Sequence, residues 1–95
     1  MPANSEYLIE SMRNMGPRTA QQLASVGINT VDKFRGMGAV AAYVAVKRGC
    51  SNVGMNMLWV LEGALQNAHW EDIARQHGAR LLGELEQYEQ AHPAP

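Results

Sequence analysis

The sequence predicts an all-α domain, a small bundle of five or six helices with no strand. Two observations carry this. Apolar residues recur in steps of three and four, as in Met55, Leu58, Leu61, Leu65 and Ala68, the period that lines one face of a helix. Between such stretches stand residues that stop or start helices: Gly16-Pro17, Gly27 before Thr30, Gly36 and Gly38, and Gly49 before Ser51 and Asn52. A chain of 95 residues holds one domain with one modest core, so residues 1–95 are read as a single unit, with His92 to Pro95 as a frayed tail.

Asn4 or Ser5 caps a first helix, in which Leu8, Met12 and Met15 form a stripe that Ile9 broadens. Gly16 permits a sharp or left-handed turn, and Pro17 fits the first helical position, where its missing N–H costs nothing. A second helix therefore starts at Pro17, with Ala20, Leu23 and Ala24 on one face. Gly27 closes it as a left-handed residue and sets Ile28 against Leu23. Thr30 caps a third helix with a short stripe of Val31, Phe34 and Met37. There Asp32 suits the first turn, and Lys33 and Arg35 are solvated charges.

Gly36 and Gly38 precede a fourth helix, AVAAYVAVKR, which Gly49 stops and whose Lys47 and Arg48 complement the C-terminal dipole. It is apolar on nearly every side, so it is either central to the core or exposes one face to a partner. Central burial is the better fit. Ser51 or Asn52 begins the next helix, MNMLWVLEGALQN, expected to be the most buried of all. Gly63 within it admits close approach of another helix, while Glu62 belongs on the polar edge with Asn56 and Gln66 or pairs with Arg75 or Arg80. A last helix begins near His69 and continues through Ala74, Gly78, Leu81, Leu85 and Tyr88, a narrow seam that packs on the domain or on a second copy. Trp70 reads as a core anchor or, at an interface, as a strong contact.

The stretch Met15-Gly16-Pro17-Arg18-Thr19-Ala20 resembles the second half of a helix-hairpin-helix unit, with Asn14 where that motif carries its first glycine. Asn tolerates left-handed backbone better than most residues. Such a turn combines unpaired N–H groups with the positive end of a helix dipole, which together attract an anion. Arg13, Asn14, Gly16, Arg18 and Thr19 are thus candidate contacts to nucleic-acid phosphate; otherwise the two arginines are solvated charges around an ordinary turn. The six residues from Met37 to Ala42 echo those from Met15 to Ala20 without the basic side chain.

The net charge of −1 hides an asymmetry: residues 1 to 48 carry six basic and three acidic side chains, residues 49 to 95 two basic and six acidic. A polyanion would meet the first half and be repelled by the second. The chain lacks the basic excess of a dedicated nucleic-acid binder. The single Cys50 allows no internal disulfide, and neither it nor His69, His77 and His92 has metal-ligand spacing. No phosphate loop or nucleophile elbow is present, so no catalytic residue, metal or cofactor is expected. Without an apolar run of membrane-spanning length or the marks of a signal peptide, the chain is expected in the cytoplasm, away from membranes.

The combination MRNMGPRTAQQLASVGINTVDKFRGMGAVAAY, then NMLWVLEGAL, then HWEDI, over about residues 7 to 75, resembles the C-terminal domain of the TfoX/Sxy family, bacterial regulators of competence genes. The resemblance implies an all-α domain related to SAM-like and helix-hairpin-helix folds, and a link to transcriptional control of DNA uptake. It carries over no catalytic residue. The full regulators have another domain before this one, whereas this chain begins at the first helix of the C-terminal domain and is read as a stand-alone copy.

Two functions follow as expectations. One is a regulatory module that touches the DNA backbone weakly, without sequence preference, through the Gly16 turn. The other is a protein-interaction or homodimerisation module that binds the transcription machinery, another regulator or itself, with Trp70, Leu81, Leu85 and Tyr88 as the candidate surface.

Overall fold

The Thr30 hydroxyl accepts the Lys33 N–H at 3.1 Å from an extended backbone, satisfying one of the donors that a helix start leaves open. That cap fixes the start of one of five α-helices in the computed structural model, which describes residues 9–50 and 52–93. A short 3-10 helix, Ile9–Ser11, leads into α1 (Pro17–Ser25), α2 (Val31–Met37), α3 (Ala39–Gly49), α4 (Asn56–Gln66) and α5 (Trp70–Ala91). No strand occurs among the described residues. The fold is the expected small all-helical bundle.

Most helix ends follow the punctuation. After α1, Gly27 takes φ +87°; its N–H bonds the Ala24 carbonyl at 3.0 Å, and the Ile28 N–H bonds the Leu23 carbonyl at 2.9 Å. This is the paired closure of a left-handed helix cap, and it buries Ile28 near Leu23. Gly38 (φ +85°) links α2 to α3 as a single residue and closes on Phe34 through a 2.9 Å bond. The left-handed Asn67 (φ 55°) ends α4.

Three boundaries differ from expectation. Within the described residues, the first helix is only the 3-10 turn, and Met12 to Met15 run on as a turn; the Asn4, Ser5 and Leu8 readings lie outside the described residues. Asn52 does not cap α4: it is itself left-handed (φ 64°), and the helix starts at Asn56, while Ser51 is outside the described residues. Gly49 forms the last residue of α3 instead of standing beyond it, with Cys50 as the cap. The tail reading at Ala94 and Pro95 also falls outside the described residues.

The centre of the core is α3, not α4. Ala39, Ala42, Tyr43, Val44 and Val46 are buried, and α3 packs against α1, α2, α4 and α5. Its all-round apolarity is satisfied because each face meets a different helix. In contrast, α4 packs chiefly between α3 and α5. Leu58, Leu61 and Ala64 are buried, while Met55 is 41% exposed.

The last helix has 22 residues, about 33 Å at the usual rise. Its seam lies against the domain: Ile73, Gly78, Leu81 and Leu85 are buried. The α4 ring of Trp59 comes within 3.7 Å of where a Cβ on Gly78 would sit, so this glycine seats the indole.

Candidate nucleic-acid interface

The backbone geometry around Gly16 divides the work between two residues. Asn14 is the left-handed one (φ 68°), whereas Gly16 is extended (φ −145°, ψ 179°) and caps α1. Asn14 therefore supplies the conformation expected of the motif's first glycine, and Gly16 needs no positive φ. A Cβ on Gly16 would meet nothing within 4 Å, so the backbone there is open to approach.

Pro17 begins α1, and the first intrahelical bond joins the Ala20 N–H to the Gly16 carbonyl at 3.0 Å. The N–H groups of Arg18 and Thr19 come before that bond. Gly16 offers no side-chain cap, and the first turn holds no acidic residue to neutralise the dipole. The side chains of Arg13 and Arg18 are exposed, and neither forms an ion pair among the described residues. Thr19 is half-buried.

Asn14 has a structural task. Its amide Nδ2 donates to the Ala68 carbonyl at 2.8 Å, across 54 positions of sequence. Gly63 makes room for this: a Cβ there would stand 2.3 Å from Asn14 Nδ2 and 2.5 Å from the Ala68 carbonyl oxygen. The glycine thus admits a side chain and a loop carbonyl, and α5 also approaches here, as the sequence leads one to expect: Ile73 Cγ1 would lie 3.5 Å from the same Cβ. The Arg13–Gly16 turn is in this way tied to the corner between α4 and α5. Asn14→Ala is expected to cost about 2–3 kcal/mol, combining the lost hydrogen bond with the left-handed penalty for alanine. Asn14→Gly should cost about 1 kcal/mol, because glycine removes only the bond. Urea denaturation of the two variants checks the order.

The basic half is more dispersed than the sequence suggests. Lys47 pairs with Glu89 at 3.7 Å, and the Arg48 guanidinium donates to the His92 carbonyl, so both fasten the end of α3 to the end of α5. Lys33 Nζ lies 3.8 Å from where a Cβ on Gly27 would sit, at the far end of α1 from Arg18. That separation is about 13 Å along the helix. Sequence reading did not foresee this placement, because nothing local to Lys33 reports which end of α1 it approaches.

The echo between Met15-Gly16 and Met37-Gly38 does not extend to geometry, since Gly16 is extended and Gly38 has φ +85°. Glu62 combines the two environments considered for it. It accepts from Gln66 one turn on and faces Arg80 at 3.4 Å, and Arg80 also bonds Glu84 at 2.7 Å. The Glu84 hydrogen bond, outweighing a small desolvation effect, and the charges of Glu84 and Glu62 raise the Arg80 guanidinium above its ordinary pKa.

The candidate partner surface breaks up. Leu81 and Leu85 are 0% and 5% exposed and belong to the domain's own core, so they offer nothing to a partner in this fold. Trp70 is half-buried and stacks on the His69 ring at 5.8 Å; the tryptophan packed against the core is Trp59. Tyr88 is half-buried and stacks on His92 at 4.1 Å. No group of three or more His, Cys, Asp or Glu capable of holding a metal occurs among the described residues, and none of their helices is long and apolar enough to cross a membrane.

A family model described as the TfoX C-terminal domain matches residues 6–85. Among solved structures, the chain is similar to an uncharacterized protein from Listeria monocytogenes whose crystal structure was determined in a triclinic form. The TM-score is 0.71 at 27% identity, over 90% of this chain and 92% of that one. No curated protein matches the chain.

Proposed function

We propose that this chain, which belongs to the TfoX C-terminal domain family, is a non-enzymatic cytoplasmic module in the transcriptional control of competence that touches the DNA backbone weakly through the Gly16 turn. The family match supports the regulatory part of this reading. The observation that carries the DNA contact is the start of α1, which opens without a side-chain cap or an acidic residue, next to two exposed arginines. A phosphate there receives the Arg18 and Thr19 N–H groups at the positive end of the helix dipole, with Arg13 and Arg18 supplying charge. Donors of this kind position a backbone and do not read bases. The open space over Gly16 lets the phosphate reach the main chain.

Fluorescence anisotropy with a short duplex tests this. A site this small should give dissociation constants on the order of 10⁻⁴ to 10⁻⁶ M, with a slope of about −2 to −3 in log affinity against log salt. Arg18→Glu should abolish measurable binding. Arg35→Glu makes the same charge change on α2 and should weaken binding much less. Equal losses would mean diffuse attraction, and no binding by the parent chain at low salt would overturn the reading.

A second reading, a protein-interaction or homodimerisation module without DNA contact, draws on the net charge of −1 and on Leu82, a large apolar side chain left exposed on α5.

A further inference from the structure

The outer face of α5 carries a feature that the domain itself does not use. Leu82 is 44% exposed, and among the described residues only Met55 is a comparably exposed large hydrophobic. Around it lie Ala79 and Gly83, both exposed. Gly83 stands in the interior of a 22-residue helix, and a Cβ there would meet nothing within 4 Å. Glycine weakens a helix interior. Gly78 and Gly63 have a neighbour that explains them, and Gly83 has none.

Arg75, Ala79, Leu82 and Glu86 follow one another in steps of four, three and four, so they form a single stripe along the exposed side. Its ends are opposite in charge. An antiparallel register that sets Leu82 against Ala79 also brings Arg75 opposite Glu86, and two-fold symmetry repeats both contacts. A parallel pair would put arginine on arginine and glutamate on glutamate. Arg75 at present bonds its own Asp72 one turn back, and Glu86 forms no ion pair with a described residue.

We propose that two copies of this chain pair antiparallel through the outer face of α5, with Leu82 of each copy seated on Ala79 and Gly83 of the other and Arg75 of each facing Glu86 of the other. The proposal rests on the protein-interaction reading and specifies its partner as a second copy. It is independent of any contact at Gly16, which lies on another element. The face is narrow, so association is weak, with dissociation constants on the order of 10⁻⁴ M, as for small transient interfaces.

Sedimentation equilibrium on the full chain tests the pairing, with circular dichroism verifying that each variant is folded. All four stripe positions are exposed, so substitution leaves the core intact. The parent should show a monomer–dimer equilibrium. Arg75→Glu and Glu86→Arg alone should each weaken it about tenfold, because each turns two symmetry-related attractions into repulsions. The double variant carrying both should regain the parent's affinity, and Leu82→Ser should abolish dimerisation. A parent chain that remains monomeric at millimolar concentration overturns the pairing and leaves the interaction reading to a different protein. Single reversals that dimerise as well as the parent, or a double variant that fails to recover, overturn the antiparallel register.

Discussion

Gly63→Ala should lower stability by about 3 kcal/mol, at the upper end of what one added carbon costs in a packed interior. The added Cβ would lie 2.5 Å from the Ala68 carbonyl oxygen and 2.3 Å from the Asn14 amide nitrogen. Asn14 is the end of a side chain and can swing aside, but only by breaking its 2.8 Å bond to that same carbonyl. Ala68 is less free. Its N–H closes the end of α4 on the Gly63 carbonyl at 2.8 Å, so moving its carbonyl also disturbs the helix cap. For a domain of this size the expected drop in Tm is about 4–8 °C per kcal/mol. The clash and the bond share one carbonyl, so Gly63→Ala and Asn14→Ala should not be additive, the double variant being more stable than the sum of the single losses implies. Thermal denaturation of the four chains measures the coupling. Strict additivity would show that Asn14 and Gly63 act separately and that the Gly16 turn is not tied to the α4–α5 corner.

That corner marks where sequence reading reaches its limit. Local chemistry is legible: Gly27 and Thr30 are recognisable because a left-handed cap and a hydroxyl cap need only their immediate neighbours. The helix-hairpin-helix resemblance around Gly16 could be read too, as could the tolerance of Asn14 for left-handed backbone. The partner of the Asn14 amide, 54 residues away, leaves no trace in the spacing of either segment. Likewise the difference between Trp59 and Trp70 is one of tertiary position. Both tryptophans sit near helical stripes, but only Trp59 meets a glycine on a neighbouring helix, Gly78, and packs against the core.

Charge was legible as a total and misleading as a surface. Half-by-half counting assigns Lys47 and Arg48 to the basic side of the molecule. In the fold they lie next to the acidic end of α5, where Glu89 and the His92 carbonyl engage them. The exposed cations that form no ion pair among the described residues are Arg13, Arg18, Lys33 and Arg35. Lys33 approaches the opposite end of α1 from the two arginines, so the phosphate contact proposed at the Gly16 turn draws on Arg13 and Arg18 and not on the whole basic half. A contact limited to those charges is weak and strongly weakened by salt.

Leu85→Glu should unfold the domain, whereas Leu82→Glu, three residues away on the same helix, should leave it folded. The two leucines are alike in sequence context, and a four-three seam drawn through Leu81, Leu85 and Tyr88 serves equally for a core or for a dimer. The structure separates them by rotation about α5: Leu85 is 5% exposed and Leu82 is 44% exposed. Truncating a buried leucine to alanine costs about 2–5 kcal/mol, and placing an unpaired carboxylate in the same space adds several more. The sum reaches the whole stability of a typical small domain, about 5–15 kcal/mol. Helical ellipticity at 25 °C should therefore collapse in Leu85→Glu. At Leu82 a carboxylate remains in water, so the melting curve at low protein concentration should shift by no more than about 0.5 kcal/mol, the usual range for surface changes. What Leu82→Glu should lose is self-association at high concentration. If Leu85→Glu instead stays folded and only dissociates, the seam belongs to an interface between copies, and the placement of α5 against α3 and α4 is wrong.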